Sequence, residues 1–159
     1  MAKPLAITRS AAVATLLVLI AVTGCDRSVR GLSPTVSLNE AVNVGTFAFT
    51  VTKVAFGERN LGYLTAQGDF ILVDIMVKNI GGDPRSVYCQ DQKLKDLSGR
   101  TYDDAVDVGD RDDLINIAPG NQVRFTCAFD VSKGALPAAV EVHESQYSEG
   151  ATVTVLSRR

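Results

Sequence analysis

Beyond residue 35 the apolar positions of this chain recur with a period close to two, and no window carries an apolar stripe at helical spacing. Such alternation describes strands with one buried face, because successive side chains of an extended chain point to opposite sides. Residues 69–80 are the clearest case. Ile71, Val73, Ile75 and Val77 share one face, Asp74, Met76 and Lys78 fall on the other, and β-branched residues dominate, which predicts a central strand. Residues 122–130 repeat the pattern, with Val123, Phe125, Cys127 and Phe129 inward and Gln122, Arg124, Thr126 and Asp130 outward. Over 46–56 the inward set runs Phe47, Phe49, Val51 and then Val54, Phe56; this slip of parity predicts a β-bulge at Thr52 and Lys53. Shorter strands are predicted over 35–39, 86–96, 100–104, 138–144 and 151–156. Between strands stand Gly81-Gly82-Asp83-Pro84, Ser98-Gly99, Pro119-Gly120-Asn121, Lys133-Gly134 and Glu149-Gly150, all turn chemistry. About seven to eight strands so punctuated predict an all-β, antiparallel β-sandwich over residues 36–159.

The N-terminal segment follows a different rule. Residues 1–10 carry Lys3 and Arg9 without an acid, and residues 11–22 are apolar except for Thr15. These are the basic and apolar regions of a secretory signal, and twelve apolar residues rise only about 18 Å as a helix, short of a roughly 30 Å hydrocarbon core. The leader explains why mean hydropathy is +0.12 for the whole chain, since residues 25–159 average roughly −0.13. Val22-Thr23-Gly24-Cys25 resembles the lipobox of bacterial lipoproteins at all four positions. The resemblance implies cleavage between Gly24 and Cys25 and lipidation of the Cys25 thiol, with residues 1–24 removed as a signal peptide. It also implies attachment of the protein to the extracytoplasmic face of the cell membrane by covalent lipid, for which paired acyl chains suffice. Residues 25–35 are polar, contain Gly31 and Pro34 and lack periodicity, as a flexible tether would.

The chain has 16 Lys and Arg against 18 Asp and Glu, a net charge of −2, and loss of Lys3 and Arg9 with the leader makes the body more acidic. That balance excludes nucleic acid as the expected partner. No phosphate-binding loop or dinucleotide fingerprint is present, so no cofactor is expected. In the body, Gly68-Asp69-Phe70 with Val77-Lys78-Asn79-Ile80-Gly81, then Leu94 to Tyr102 (LKDLSGRTY), Pro119-Gly120 and Phe129-Asp130-Val131 stand in order. In these motifs the chain resembles, over roughly residues 36–156, a bacterial extracellular domain family of unassigned function. The resemblance implies an immunoglobulin-like β-sandwich, similar to a small secreted mycobacterial antigen, and members that are commonly lipoproteins. It implies no catalytic residues.

With Cys25 assigned to lipid, Cys89 and Cys127 remain, an even number in an exported domain where oxidation is permitted. They are expected to form a disulfide; two separate buried thiols or a metal pair are the alternatives. His143, the one histidine, is expected to face solvent beside the inward Val140 and Val142, and no serine sits in a nucleophile elbow to make it a catalytic base. The acidic run Asp103, Asp104, Asp107, Asp110, Asp112, Asp113 offers oxygen ligands, with Asp107, Asp110, Asp112 and Asp113 the candidates for Ca²⁺, but its spacing departs from an EF-hand loop and a solvated loop is the preferred account. Tyr63, Tyr88, Tyr102 and Tyr147 fall in or near loops and strand ends. The glycine-rich stretch 57–68, which holds Leu61, Tyr63 and Leu64, is the first candidate for partner contacts. The expected function is therefore a non-enzymatic binding module of the cell envelope whose partner is a protein or cell-wall component. The alternative is a small-ligand or Ca²⁺-binding lipoprotein using the acidic loop 103–113.

Overall fold

The computed structural model describes residues 33–109 and 115–155. In chain order the strands are β1 (Thr35–Ser37), β2 (Ala41–Val44), β3 (Phe47–Phe56), β4 (Asn60–Leu61), β5 (Leu64–Thr65), β6 (Asp69–Asn79) and β7 (Arg85–Val87). After a 3₁₀ turn at Cys89–Asp91 come β8 (Lys93–Asp96), β9 (Thr101–Tyr102), β10 (Val106–Asp107), β11 (Ile115–Ile117), β12 (Gln122–Val131), β13 (Pro137–Val142) and β14 (Ala151–Thr154). Two five-stranded sheets, ordered β1-β14-β13-β8-β9 and β10-β12-β6-β3-β2, enclose one core, so the molecule is a β-sandwich. The long antiparallel ladder of β12, β6 and β3 is its spine, running from Gln122↔Lys78 to Val131↔Asp69 on one side of β6.

Alternation sets the core as expected. Ile71, Val73, Ile75 and Val77 are fully buried and meet Leu94, Val140 and Val153 of the opposing sheet. Phe47 and Phe49 pack edge to face with centroids 5.8 Å apart. The register of β3 against β6 shifts between Val51 and Lys53, which is the predicted bulge: Thr52 is skipped, and Val54 returns to the core side. Phe56 does not share that burial; at the end of β3 it remains 59% exposed.

Four further expectations are corrected. The stretch 86–96 is not one strand: it breaks at Tyr88 into the 3₁₀ turn, so Cys89 reaches the core from a turn. His143 is buried rather than solvent-facing, because β13 ends at Val142 and the 143–150 connection folds over the ring. The sandwich is not wholly antiparallel, since β1 pairs parallel with β14. Finally, β2, β4, β5, β10 and β11 exceed the expected strand number; each has two to four residues, too few for an alternating pattern to register.

Two fully buried polar side chains replace backbone partners where the ladders stop. Asn79 donates from Nδ2 to the Asp83 and Ile117 carbonyls and accepts the Gly81 N–H. Gln92 donates to the Tyr88 and His143 carbonyls and accepts the His143 N–H at 2.9 Å. Both therefore satisfy the buried-polar rule with three bonds each.

The strand directions define two ends. At the base lie the 45–46 turn, the 80–84 loop and the 143–150 connection, joined at Thr46, whose hydroxyl and N–H donate to Glu144 and whose carbonyl accepts the Ile80 N–H. At the crown lie the β4–β5 hairpin, the β8–β9 turn and the 132–136 connection. β1 starts at the base, opposite Thr152, where the Thr152 N–H binds the Pro34 carbonyl.

Candidate functional site at the crown

The β4–β5 hairpin closes through Gly62 (φ +60°) and Tyr63, with Leu61 paired to Leu64. A positive φ suits glycine, which has no Cβ to clash there. The hairpin lies over the outer face of the β12–β6 sheet, where Phe70 and Ala128 are buried with Ala66 and pack against Leu61, Leu64, Leu72, Val106 and Val108. This second apolar cluster explains why the outer face of β6 opens on Phe70 and Leu72 before turning polar at Asp74. Between the hairpin tip and Asp107–Gly109 runs a cleft of about 370 Å³. Tyr63 stands at its rim, 93% exposed. Part of the glycine-rich stretch 57–68 thus forms one wall of a cleft, and Asp107–Gly109, from within the acidic run, forms the other.

Asp107 does not serve that cleft as an acid. It pairs with Cys127 across β10 and β12, so its side chain shares the inner face of the sheet, while Val106 and Val108 face the hairpin. Asp107 is buried, its Oδ1 accepts the Gly109 N–H at 2.9 Å, and its Oδ2 has no partner among the described residues. Asp110, Asp112 and Asp113 lie outside the described residues. Among the described residues no three His, Cys, Asp or Glu side chains are grouped to hold a metal ion.

Cys89 and Cys127 form a disulfide with Cα atoms 5.4 Å apart, fastening the 3₁₀ turn to the middle of β12. Nearby, His143 Nδ1 lies 3.0 Å from the Ser148 carbonyl; a carbonyl only accepts, so Nδ1 carries the proton, and the other ring nitrogen, buried, has no partner among the described residues. Gly150 packs against the ring so closely that a Cβ there would sit 2.5 Å from it. Burial raises the Asp91 carboxyl above its usual range, partly offset by the Gln146 N–H and by nearby His143. Ser148 offers the ring its carbonyl, not its hydroxyl, which bonds instead to Ser145.

At the β8–β9 turn Asp96 gathers four donors: the Ser98 hydroxyl at 2.6 Å, the Ser98 and Arg100 N–H groups, and the Tyr102 hydroxyl at 2.9 Å. The Ser98 hydroxyl leads in lowering its pKa to about 2 against the opposing effect of burial. Asp130 accepts the Gln67 and Gly68 N–H groups, and Asp69 the Gly134 N–H. These carboxylates set the crown loops. No periodic pattern announces them, although the Asp96-Leu97-Ser98-Gly99 turn is legible as turn chemistry.

Leu61, Tyr63 and Leu64 are thus brought together with Val108, whereas Tyr147, also exposed, lies at the base and Tyr88 and Tyr102 are half-buried. Among the described residues no helix is long and apolar enough to cross a membrane.

Known structures share this architecture. The secreted protein MPT63 of Mycobacterium tuberculosis superimposes with a TM-score of 0.62 at 13% identity, over 77% of this chain and 98% of that one. The yjhA protein of Bacillus subtilis gives 0.58 at 15% identity, over 76% and 99%. The B. subtilis protein ycdA, described as a candidate lipoprotein, gives 0.52 at 16% identity, over 75% of this chain and 38% of that longer one. At such identities the likeness is one of fold, and none of these relatives points to an enzyme family. No curated protein matches the chain. Residues 36–152, nearly the whole sandwich, match the model of a domain of unknown function, and the chain belongs to that family, DUF4352.

Proposed function

We propose that this chain is a lipoprotein anchored through Cys25 on the extracytoplasmic face of the cell membrane, and that its sandwich is a non-enzymatic binding module for a protein or cell-wall component of the envelope. The position of the hairpin cleft carries this reading. The described chain begins at the base, whereas the β4–β5 hairpin is rooted at the crown and its cleft with Tyr63 lies on the outer face of the sheet, level with the middle of β12. Residues 26–34 extend at most roughly 30 Å, so an anchor at Cys25 would keep the sandwich within reach of the bilayer surface. Tethering raises the local concentration of such a module without any new contact.

Two experiments test the reading. Metabolic labelling with a fatty-acid precursor is expected to mark the wild-type chain and not Cys25→Ser; labelling that persists refutes the anchor. A photo-crosslinking side chain at position 63 is expected to capture a discrete envelope partner on intact cells, while the same group at position 147, equally exposed but at the base, captures none. Equal capture from both positions refutes the hairpin cleft as the binding site. Should millimolar Ca²⁺ raise the melting temperature by several degrees, the cation-binding alternative takes its place.

A further inference from the structure

The 143–150 connection at the base closes over the one imidazole of the chain. His143 is 8% exposed, and Gly150 lies so near that no side chain fits between it and the ring. The main chain of His143 is fixed independently of the connection, because Gln92 binds both its N–H and its carbonyl. Beyond it the 145–148 turn is closed on itself. The Ser148 hydroxyl donates to the Ser145 carbonyl and accepts the Ser145 N–H, and the Ser148 N–H reaches the same carbonyl. Among the described residues two polar side chains hold this turn to the sandwich. The ring donates from Nδ1 to the Ser148 carbonyl at 3.0 Å, and the buried Asp91 carboxylate of the 3₁₀ turn accepts the Gln146 N–H.

That closure suits a neutral ring. The second ring nitrogen, Nε2, is buried and has no partner among the described residues. In neutral imidazole it is an idle acceptor; in imidazolium it is a donor, and a buried N–H without an acceptor is costly. The charged groups around the ring do not remove this cost in place. Asp91 acts on the ring electrostatically, but a turn toward Nε2 weakens its bond to the Gln146 N–H and so loosens one of the two holds. Glu144 is engaged by Thr46, Glu149 is exposed to solvent, and the adjoining strand ends, Val142 and Ala151, carry no charge. With the connection open, water meets both ring nitrogens. A second proton therefore favours the open form, and release grows as pH falls.

We propose that the 143–150 connection is a pH-sensitive latch, closed over neutral His143 and released when the ring takes a second proton. Release exposes the ring and the end of the 3₁₀ turn beside it. The latch needs neither the anchor nor the partner proposed above.

The test follows the full chain by amide hydrogen exchange from about pH 7.5 to 5.5, corrected for the intrinsic pH dependence of exchange. Because the chain has one histidine, its ring proton signal in NMR reports protonation in the same samples. A single linked proton changes protection by at most about tenfold per pH unit. Protection of amides 145–150 is expected to fall by about tenfold over this range, while the β6 amides keep theirs. His143→Asn retains a donor for the Ser148 carbonyl but takes no proton, so its protection should be independent of pH. Asp91→Asn should preserve or enlarge the loss. Constant protection in the wild-type chain overturns the proposal, as does an equal loss in β6, which marks global unfolding. A loss that persists in His143→Asn overturns it too, and one that vanishes in Asp91→Asn does so by making the carboxylate the trigger. Should His143→Asn fail to fold, the wild-type chain decides: ring titration and loss of protection must share a midpoint, and a separation above about one pH unit overturns the latch.

Discussion

Replacing Gln92 by methionine isolates what one buried amide contributes to this sandwich. The side chain is fully buried and bridges the end of the 3₁₀ turn to the main chain of His143, through bonds of 2.9 and 3.1 Å, while a third reaches Tyr88. Methionine keeps the length and adapts its shape, so little of the penalty comes from packing. The His143 N–H and carbonyl lose their partners where water cannot replace them. At about 1–3 kcal/mol for each group, the pair costs about 2–6 kcal/mol. Burying a thioether in place of an amide returns about 1–2 kcal/mol, so the midpoints leave a net loss of about 2.5 kcal/mol. For a domain of about 125 residues this lowers the melting temperature by roughly 10 °C, measured by circular dichroism. Hydrogen exchange at the His143 amide should accelerate at the same time. Gln92→Glu keeps the acceptor but loses both donations and buries a charge, so at pH 7 it should fall below methionine. Gln90→Met, two residues away and exposed, should be neutral. A methionine variant melting within about 2 °C of wild type refutes the assignment of Gln92 as the partner of this strand end.

Removing both core cysteines, Cys89→Ala with Cys127→Ala, frees a separation of 38 residues and should cost about 4 kcal/mol by the loop-entropy relation; a loss below about 1 kcal/mol in urea titration contradicts it. Gly68→Ala places a Cβ 1.9 Å from the Val131 carbonyl oxygen, a backbone atom that has little room to yield. It should destabilise by at least about 2 kcal/mol, whereas Gly82→Ala, which meets open space, should be nearly silent. The Asp96 carboxyl, lowered to about 2, contributes stability that is complete above its unfolded pKa near 3.8 and is lost as pH falls through 2, so Asp96→Asn should flatten the acid limb of the melting curve between those values. Asp91 has the opposite sign: its raised pKa means that ionisation opposes folding above the unfolded value, and Asp91→Asn should raise the melting temperature at pH 7. An Asp91→Asn variant that melts lower at neutral pH would contradict burial as the dominant influence.

The sequence by itself determined the layers of this protein. Ile71 to Val77 and Phe125 to Phe129 alternate because one face of each strand meets a core and the other does not, and that requirement is local enough to survive in a one-dimensional pattern. The bulge in β3 was legible for the same reason, as a slip of parity between Val51 and Val54. The stretch 57–68 was legible as a loop of glycines around three large side chains, whereas its β4–β5 hairpin was not. What only the tertiary structure decided are the places where alternation stops. His143, expected in solvent, is buried because the 143–150 connection closes over it and Gly150 leaves space for the ring. Gln92, expected within a continuous strand, ends a turn and substitutes for a missing ladder partner. Asp107 turns from the cleft beside it because its pairing with Cys127 fixes which face it takes. Such outcomes depend on contacts between distant segments, where the partner that satisfies a polar group lies as many as 51 residues away, and no short-range spacing encodes them.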